Sequence, residues 1–481
     1  MKTTIPTAIL SLSFALLIGC SAQQTVKPSA SASSASVAPA LSGADAYRQL
    51  TDYSAIGLHR TGTDGGERTV QWLTARLSSM NLQAQIEPFE FNQYIPTNAA
   101  LKLDDGSSVK VFPYWYSGRT TANGLNAELI DVGSGTQAEF DGKKVSGKLV
   151  LADIKLKLRA FFPTLNDVMR RAHAAGAIGV VAVAQGAPDN LIVAANAESE
   201  AGLCGLPVLF AGAEDGVHIR QRAGKSVTFV LDADYRVGKS ANVIATIPGK
   251  SSDTIMIGTP TNGWFTTASE RGAGVGTLLT LARYYADRAQ SGAPPAKTLV
   301  FVFTGGHEVG YLGLNRYIDA HPDVIAKTYS YVHLGASIAG TFYFKKPDGS
   351  TDSAPIADPA RILFVSENPL LQKMVSARQL SNELFPAQTI LPSVLNPGEQ
   401  RSMYAKGVPI ISMSGTTLYF HTEADTAETS SAQLLEPTVK FYGSVIEDLL
   451  AVTSATVLSN NALAASYAKT LPPPVCVVPG N

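Results

Sequence analysis

From Ser240 onward, short apolar runs alternate with amphipathic stretches, and no other feature constrains the fold as much. Residues 240–249 (SANVIATIPG) read as a strand stopped by Pro-Gly. Residues 254–258 (TIMIG), 297–303 and 329–334 read as three more. Between them, residues 272–285 place Val275, Leu278, Leu279 and Ala282 on one face, the spacing of an amphipathic helix. Residues 432–450 predict a terminal helix. Strands separated by helices build an α/β fold, a mixed, mostly parallel sheet flanked by helices. Such sheets gather ligands beyond the carboxyl ends of their strands, so the polar residues that follow these runs form the candidate site.

The same domain begins upstream, at residues 43–96. A Thr-Gly-Thr-Asp-Gly-Gly turn leads into a helix with Val70, Leu73 and Leu77 on one face, and residues 83–91 alternate as a strand does. Residues 97–238 differ in character. They are strand-rich, with Gly and Asp turns, and predict a β-rich insert. The first domain resumes over 239–452, and 453–481, with its Leu-Pro-Pro-Pro, is a C-terminal tail. The chain has 481 residues, enough for two or three domains. Its formal charge is −1, which gives no ground for a nucleic-acid partner.

Residues 1–19 read as an export signal: Met1-Lys2, then a short apolar run at 9–18. They end in Leu17-Ile18-Gly19-Cys20, which resembles a bacterial lipobox with Cys20 as the lipidated residue. Residues 20–42, rich in Ser and Ala, then form a flexible tether. The expected location is the cell envelope, lipid-anchored, on the periplasmic face of the outer membrane. Two further cysteines, Cys204 and Cys476, either pair or remain as two free thiols.

Several stretches together resemble the co-catalytic zinc aminopeptidase family. They are the turn Arg60-Thr61-Gly62-Thr63, the strand 240–249 ending in Pro-Gly, Gly306-His307-Glu308-Val309-Gly310, and the late Phe420-His421-Thr422-Glu423-Ala424-Asp425. Three glycine-preceded buried strands in 145–210 resemble the protease-associated module often inserted in this family. The resemblance implies a zinc-aminopeptidase-like domain with an inserted β-rich module. It also implies hydrolysis of N-terminal peptide bonds by two zinc ions, with three protein ligands at each metal and one position open.

Carried over residue by residue, the resemblance leaves that chemistry incomplete. The first ligand histidine matches Pro260, which has no donor, and its supporting aspartate matches Asn262. The bridging aspartate falls on Ser269, with Glu270 adjacent. The water-activating glutamate is His307, and the ligand glutamate is kept as Glu308. The second ligand aspartate is Gly335, the last ligand histidine is kept as His421, and a family Ser-Asp-His reads Gly398-Glu399-Gln400. Without a bridging carboxylate, two ions at the usual separation are not expected, so the cofactor is none or at most one zinc.

Three readings follow. In the first, the chain is a catalytically degenerate homologue that binds a peptide or protein, attached to the membrane through lipid at Cys20. In the second, Glu308 and His421, joined by His307, His333 or Glu270, hold one zinc in a rewired hydrolase or cyclase. In the third, Ser269 is a nucleophile with His307 as base, although no nucleophile elbow is present. Arg271, which stands where the family has asparagine, is placed to neutralise Glu308 in place of metal.

Overall fold

The computed structural model describes residues 40–159 and 161–462. Nineteen N-terminal residues of the signal, Cys20, most of the tether, Cys476 and the end of the tail lie outside the described residues. Among the described residues, no helix is long and apolar enough to cross a membrane.

The helix predicted over 272–285 is Ala273–Gln290, and Val275, Leu278, Leu279 and Ala282 are each fully buried. A side chain at Gly276 would collide with the backbone oxygen of Ala46. The absence of a side chain there lets the helix Gly43–Ser54 pack directly across it. The terminal helix Ala432–Ala451 starts at a Ser431 cap, whose side chain accepts from Leu434 N at 3.2 Å.

One sheet organises the molecule. From one edge the order is Gln388–Ile390, Ile362–Val365, Ile410–Ser414, Thr328–Leu334, Ser251–Pro260, Lys297–Thr304 and Ser226–Ile247. The four pairings other than Ile362–Val365 with Ile410–Ser414 and Lys297–Thr304 with Ser226–Ile247 are parallel. Those two are antiparallel. The sheet is therefore mixed and mostly parallel, with helices over the Leu278 face.

The sheet continues into the stretch 97–238 through Leu125–Asp131, Leu149–Lys155, Gly179–Gln185 and Val208–Ala211, parallel to one another. Three helices, Gln137–Phe140, Leu165–Ala174 and Ala213–Arg220, accompany them, so the stretch 97–238 is α/β rather than strand alone. Two long antiparallel strands, Ala84–Lys102 and Ser226–Ile247, run through both expected boundaries. Their register slips between Pro96 and Asn98, where proline offers no backbone donor to the ladder.

Candidate functional site

The candidate residues arrive at the carboxyl end of the sheet from separate elements. Pro260 ends the strand Ser251–Pro260, and Lys297–Thr304 leads through Gly305 and Gly306 into the 3₁₀ turn His307–Val309. Gly306 has φ of 72°, so the chain turns sharply before His307. Thr328–Leu334 carries His333 near its end. Ser269, Glu270 and Arg271 lie on a π-turn, Ala268–Gly272, that opens the Leu278 helix. His421 follows the strand Ile410–Ser414, in a left-handed conformation with φ of 58°.

A buried quartet forms the centre. Arg271 Nη2 lies 2.9 Å from Glu270 Oε1 and also pairs with Glu308 Oε1. Arg271 Nε donates to Asn262 O at 3.0 Å. His421 Nε2 is 3.2 Å from Glu270 Oε1 and 3.5 Å from Glu308 Oε2. Burial pushes the Glu270 carboxyl up, but the charges of His421 and Arg271 outweigh it and hold the group below its ordinary value. Burial alone would lower His421, yet Glu270 and Glu308 raise it above the usual histidine range. Burial likewise works against the charge of Arg271, and Glu308 and Glu270 reverse the effect. Two buried carboxyl groups thus face one guanidinium and one imidazole, and Arg271 brings a positive charge to both.

Asp425 holds the π-turn in place. Its carboxylate accepts from Ser269 N at 2.9 Å, Ser269 Oγ at 2.7 Å and Glu270 N at 3.0 Å. Burial and the nearby Glu270 push its carboxyl up to about 6. Because the Ser269 hydroxyl donates to Asp425 and His307 is engaged elsewhere, the two do not form a nucleophile–base pair.

His307 and His333 belong to a second cluster. His307 Nδ1 is 2.9 Å from Glu399 Oε2, and Thr304 Oγ1 donates to Glu399 Oε1 at 2.7 Å. His333 Nδ1 meets Ser412 Oγ at 2.9 Å, and its Nε2 stands 3.8 Å from Glu399 Oε1. Burial pushes His333 down to about 3. Burial and Arg271 take His307 well below its ordinary value. Burial raises Glu399, against His333 and the Thr304 hydrogen bond.

Among the described residues, Glu270, Glu308 and His421 form the group that could hold a metal, with donor atoms within 4.8 Å of one another. His307 and His333 are not in it. The two-ion centre does not fit this chain. Pro260 offers no donor, and Ser269 is bound to Asp425. A Cβ at Gly335 would run into Ser414 Oγ and lie 2.7 Å from Met413 O. A single ion has a donor set in Glu270, Glu308 and His421, but there it meets Arg271 already paired to both carboxylates.

Aromatic and histidine side chains near the site are held by packing. His59 stacks on Tyr53 at 3.7 Å and its Nδ1 meets Thr69 Oγ1. Trp264 packs edge-on against Trp115 at 5.1 Å. The Tyr311 ring meets His307 at 4.8 Å, with the Arg401 guanidinium 4.5 Å from its centre. Cys204 is disulfide-bonded, and Cys476 lies outside the described residues. Sequence reasoning assigned no role to Glu399 or Asp425. The only signal was position: Glu399 at the aspartate of the Ser-Asp-His match, and Asp425 four residues after His421.

Residues 242–442 match the model of peptidase family M28. An aminopeptidase from Pseudomonas aeruginosa (strain UCBPP-PA14) is 24% identical over 330 residues, 63% of this chain and 59% of that protein. The chain therefore spans less than two thirds of that relative's length. A Schizosaccharomyces pombe protein described as an inactive zinc metalloprotease is 27% identical over 105 residues, 21% of this chain and 13% of that protein. A zinc aminopeptidase from Bacillus subtilis shares the fold, with a TM-score of 0.68 at 17% identity over 85% of this chain and 95% of that one.

Proposed function

We propose, for a chain whose residues 242–442 match the model of peptidase family M28, a binding function built on a catalytically degenerate peptidase site. The ligand is a peptide or protein, met in the cell envelope by a chain anchored through lipid at Cys20. One observation carries this reading: Arg271 pairs with both Glu270 and Glu308 where a metal would otherwise sit, and His421 faces the same two carboxyl groups. A buried carboxylate pair needs a counter-charge, and here the chain supplies it. The relative described as inactive gives the reading a parallel within the similar proteins.

A second reading has its own support. His421 Nε2 lies 3.2 and 3.5 Å from the two glutamates, close to the roughly 3.3 Å donor spacing of a tetrahedral zinc with bonds of about 2.0–2.1 Å. One zinc bound there would supply a polarising charge and an activated water. His307, held by Glu399, is the residue at the base position. The test is zinc stoichiometry in the purified chain, for wild type and His421→Ala, after incubation with excess metal. No zinc supports the binding reading. About one zinc per chain, lost in His421→Ala, replaces it with the rewired hydrolase.

A further inference from the structure

The quartet is sealed by the insert. Residues 191–198 take no helical or strand form, yet Val193, Ala194, Ala195 and Ala197 are buried. Their hydrogen bonds run largely to the peptidase loops. Ala194 N donates to His421 O at 2.9 Å, and His421 Nδ1 meets Ala194 O at 2.9 Å. Ala197 N donates to Glu308 O at 2.9 Å. Ser199 Oγ donates to Val309 O at 3.0 Å, and Trp264 Nε1 donates to Asn196 Oδ1 at 2.9 Å. The strap therefore grips the two retained family ligands, and it helps hold His421 in its left-handed backbone.

We infer that residues 191–199 are a built-in ligand mimic, and that the cleft beneath takes an extended peptide with small residues at the positions of Ala194 and Ala197 when the strap leaves. This rests on the reading that the site binds peptide. The strap docks through main-chain donors and acceptors, which any extended chain can offer, and alanines occupy the paired positions, so the cleft selects for small side chains. An external peptide would repeat the Ala194 pairing to His421 and the Ala197 donation to Glu308. The strap is then a competitor at very high local concentration, tethered at both ends to the insert.

A labelled peptide with the sequence of residues 190–199 (NLIVAANAES) tests this by fluorescence anisotropy, against wild type and Asn196→Ala/Ser199→Ala. The double variant removes two anchors from the strap and leaves its backbone intact. The variant is expected to bind the peptide at least tenfold more tightly than wild type, and a scrambled peptide carrying lysines is expected to bind neither. Equal affinity for both proteins, or no binding by a folded variant, overturns the inference. Hydrogen exchange on wild type keeps the test decisive if the variant misfolds. With 1 mM peptide, the amides of Ala194 and Ala197 should exchange faster, and unchanged protection at the level of the core strands overturns the inference. Zinc content measured alongside separates the two claims. A zinc-loaded protein that still binds the peptide sinks the degenerate-site reading alone, and a zinc-free protein that fails to bind it sinks the strap alone.

Discussion

Replacing Arg271 with methionine keeps the volume and removes the charge that Glu270 and Glu308 share. Arg271 is 2% exposed and its Nη2 is 2.9 Å from Glu270 Oε1. At an effective dielectric of about 20, two unit charges roughly 4 Å apart attract by about 4 kcal/mol. Part of that is cancelled by desolvation, and breaking a buried pair typically costs about 3–5 kcal/mol because a buried charge is left uncompensated. His421 still faces both carboxylates, so the lower half of that range is expected. Urea unfolding in EDTA measures the loss. The same titration with zinc separates the explanations, because a vacated site holding one ion at a concentration of 100 Kd regains about 2.7 kcal/mol. Wild type should gain little from zinc and Arg271→Met should gain most of that amount. A loss below about 1 kcal/mol, or equal stabilisation of wild type by zinc, would refute the claim that the guanidinium stands in for metal.

Three further outcomes are expected. His333 is pushed down to about 3 by burial, so below pH 6.5 the unfolded chain takes up a proton that the folded chain refuses. Stability from this site is full well above pH 6.5 and is about 2.7 kcal/mol lower at pH 4.5; His333→Asn should remove one proton from the slope of urea stability against pH. Asp425→Asn places an amide where a carboxylate accepts from Ser269 and Glu270. It should cost about 1–3 kcal/mol in urea unfolding. Gly335→Asp restores a ligand residue type but drives its Cβ into Ser414; a loss of about 1–3 kcal/mol with no gain in bound zinc is expected from melting and metal analysis.

The elements that could be read in advance are those with local causes. The helix face of Val275, Leu278, Leu279 and Ala282 follows from a periodicity contained within one helix. The strands 254–258 and 297–303 appear inside Ser251–Pro260 and Lys297–Thr304, because apolar runs bounded by glycine and proline have few other uses. The positions of Glu308 and His421 and the missing donor at Pro260 could also be read directly, since a motif fixes which residue follows which strand.

What meets what was not legible. Ser269 and Glu270 were one residue apart in the choice of the bridging position, and only the π-turn decides it, aiming Glu270 at His421 and handing Ser269 to Asp425. His307 and His333 were candidates for one metal site, yet Glu399 engages His307 from 92 positions away and Ser412 holds His333. Asp425 reaches Glu270 across 155 positions. The strap shows the same limit, because nothing in Leu-Ile-Val-Ala-Ala-Asn-Ala marks it as the cover of a site assembled from residues between Glu270 and His421. Short-range spacing dictates the strands and helices from Ser240 onward and the inventory of side chains at the carboxyl edge of the sheet, whereas the helices Gln137–Phe140 and Ala213–Arg220 were not among those read in advance. Tertiary structure alone decided the partners of each charge, because a buried ion pair depends on the angle at which two distant loops arrive, and a turn of one residue changes that angle.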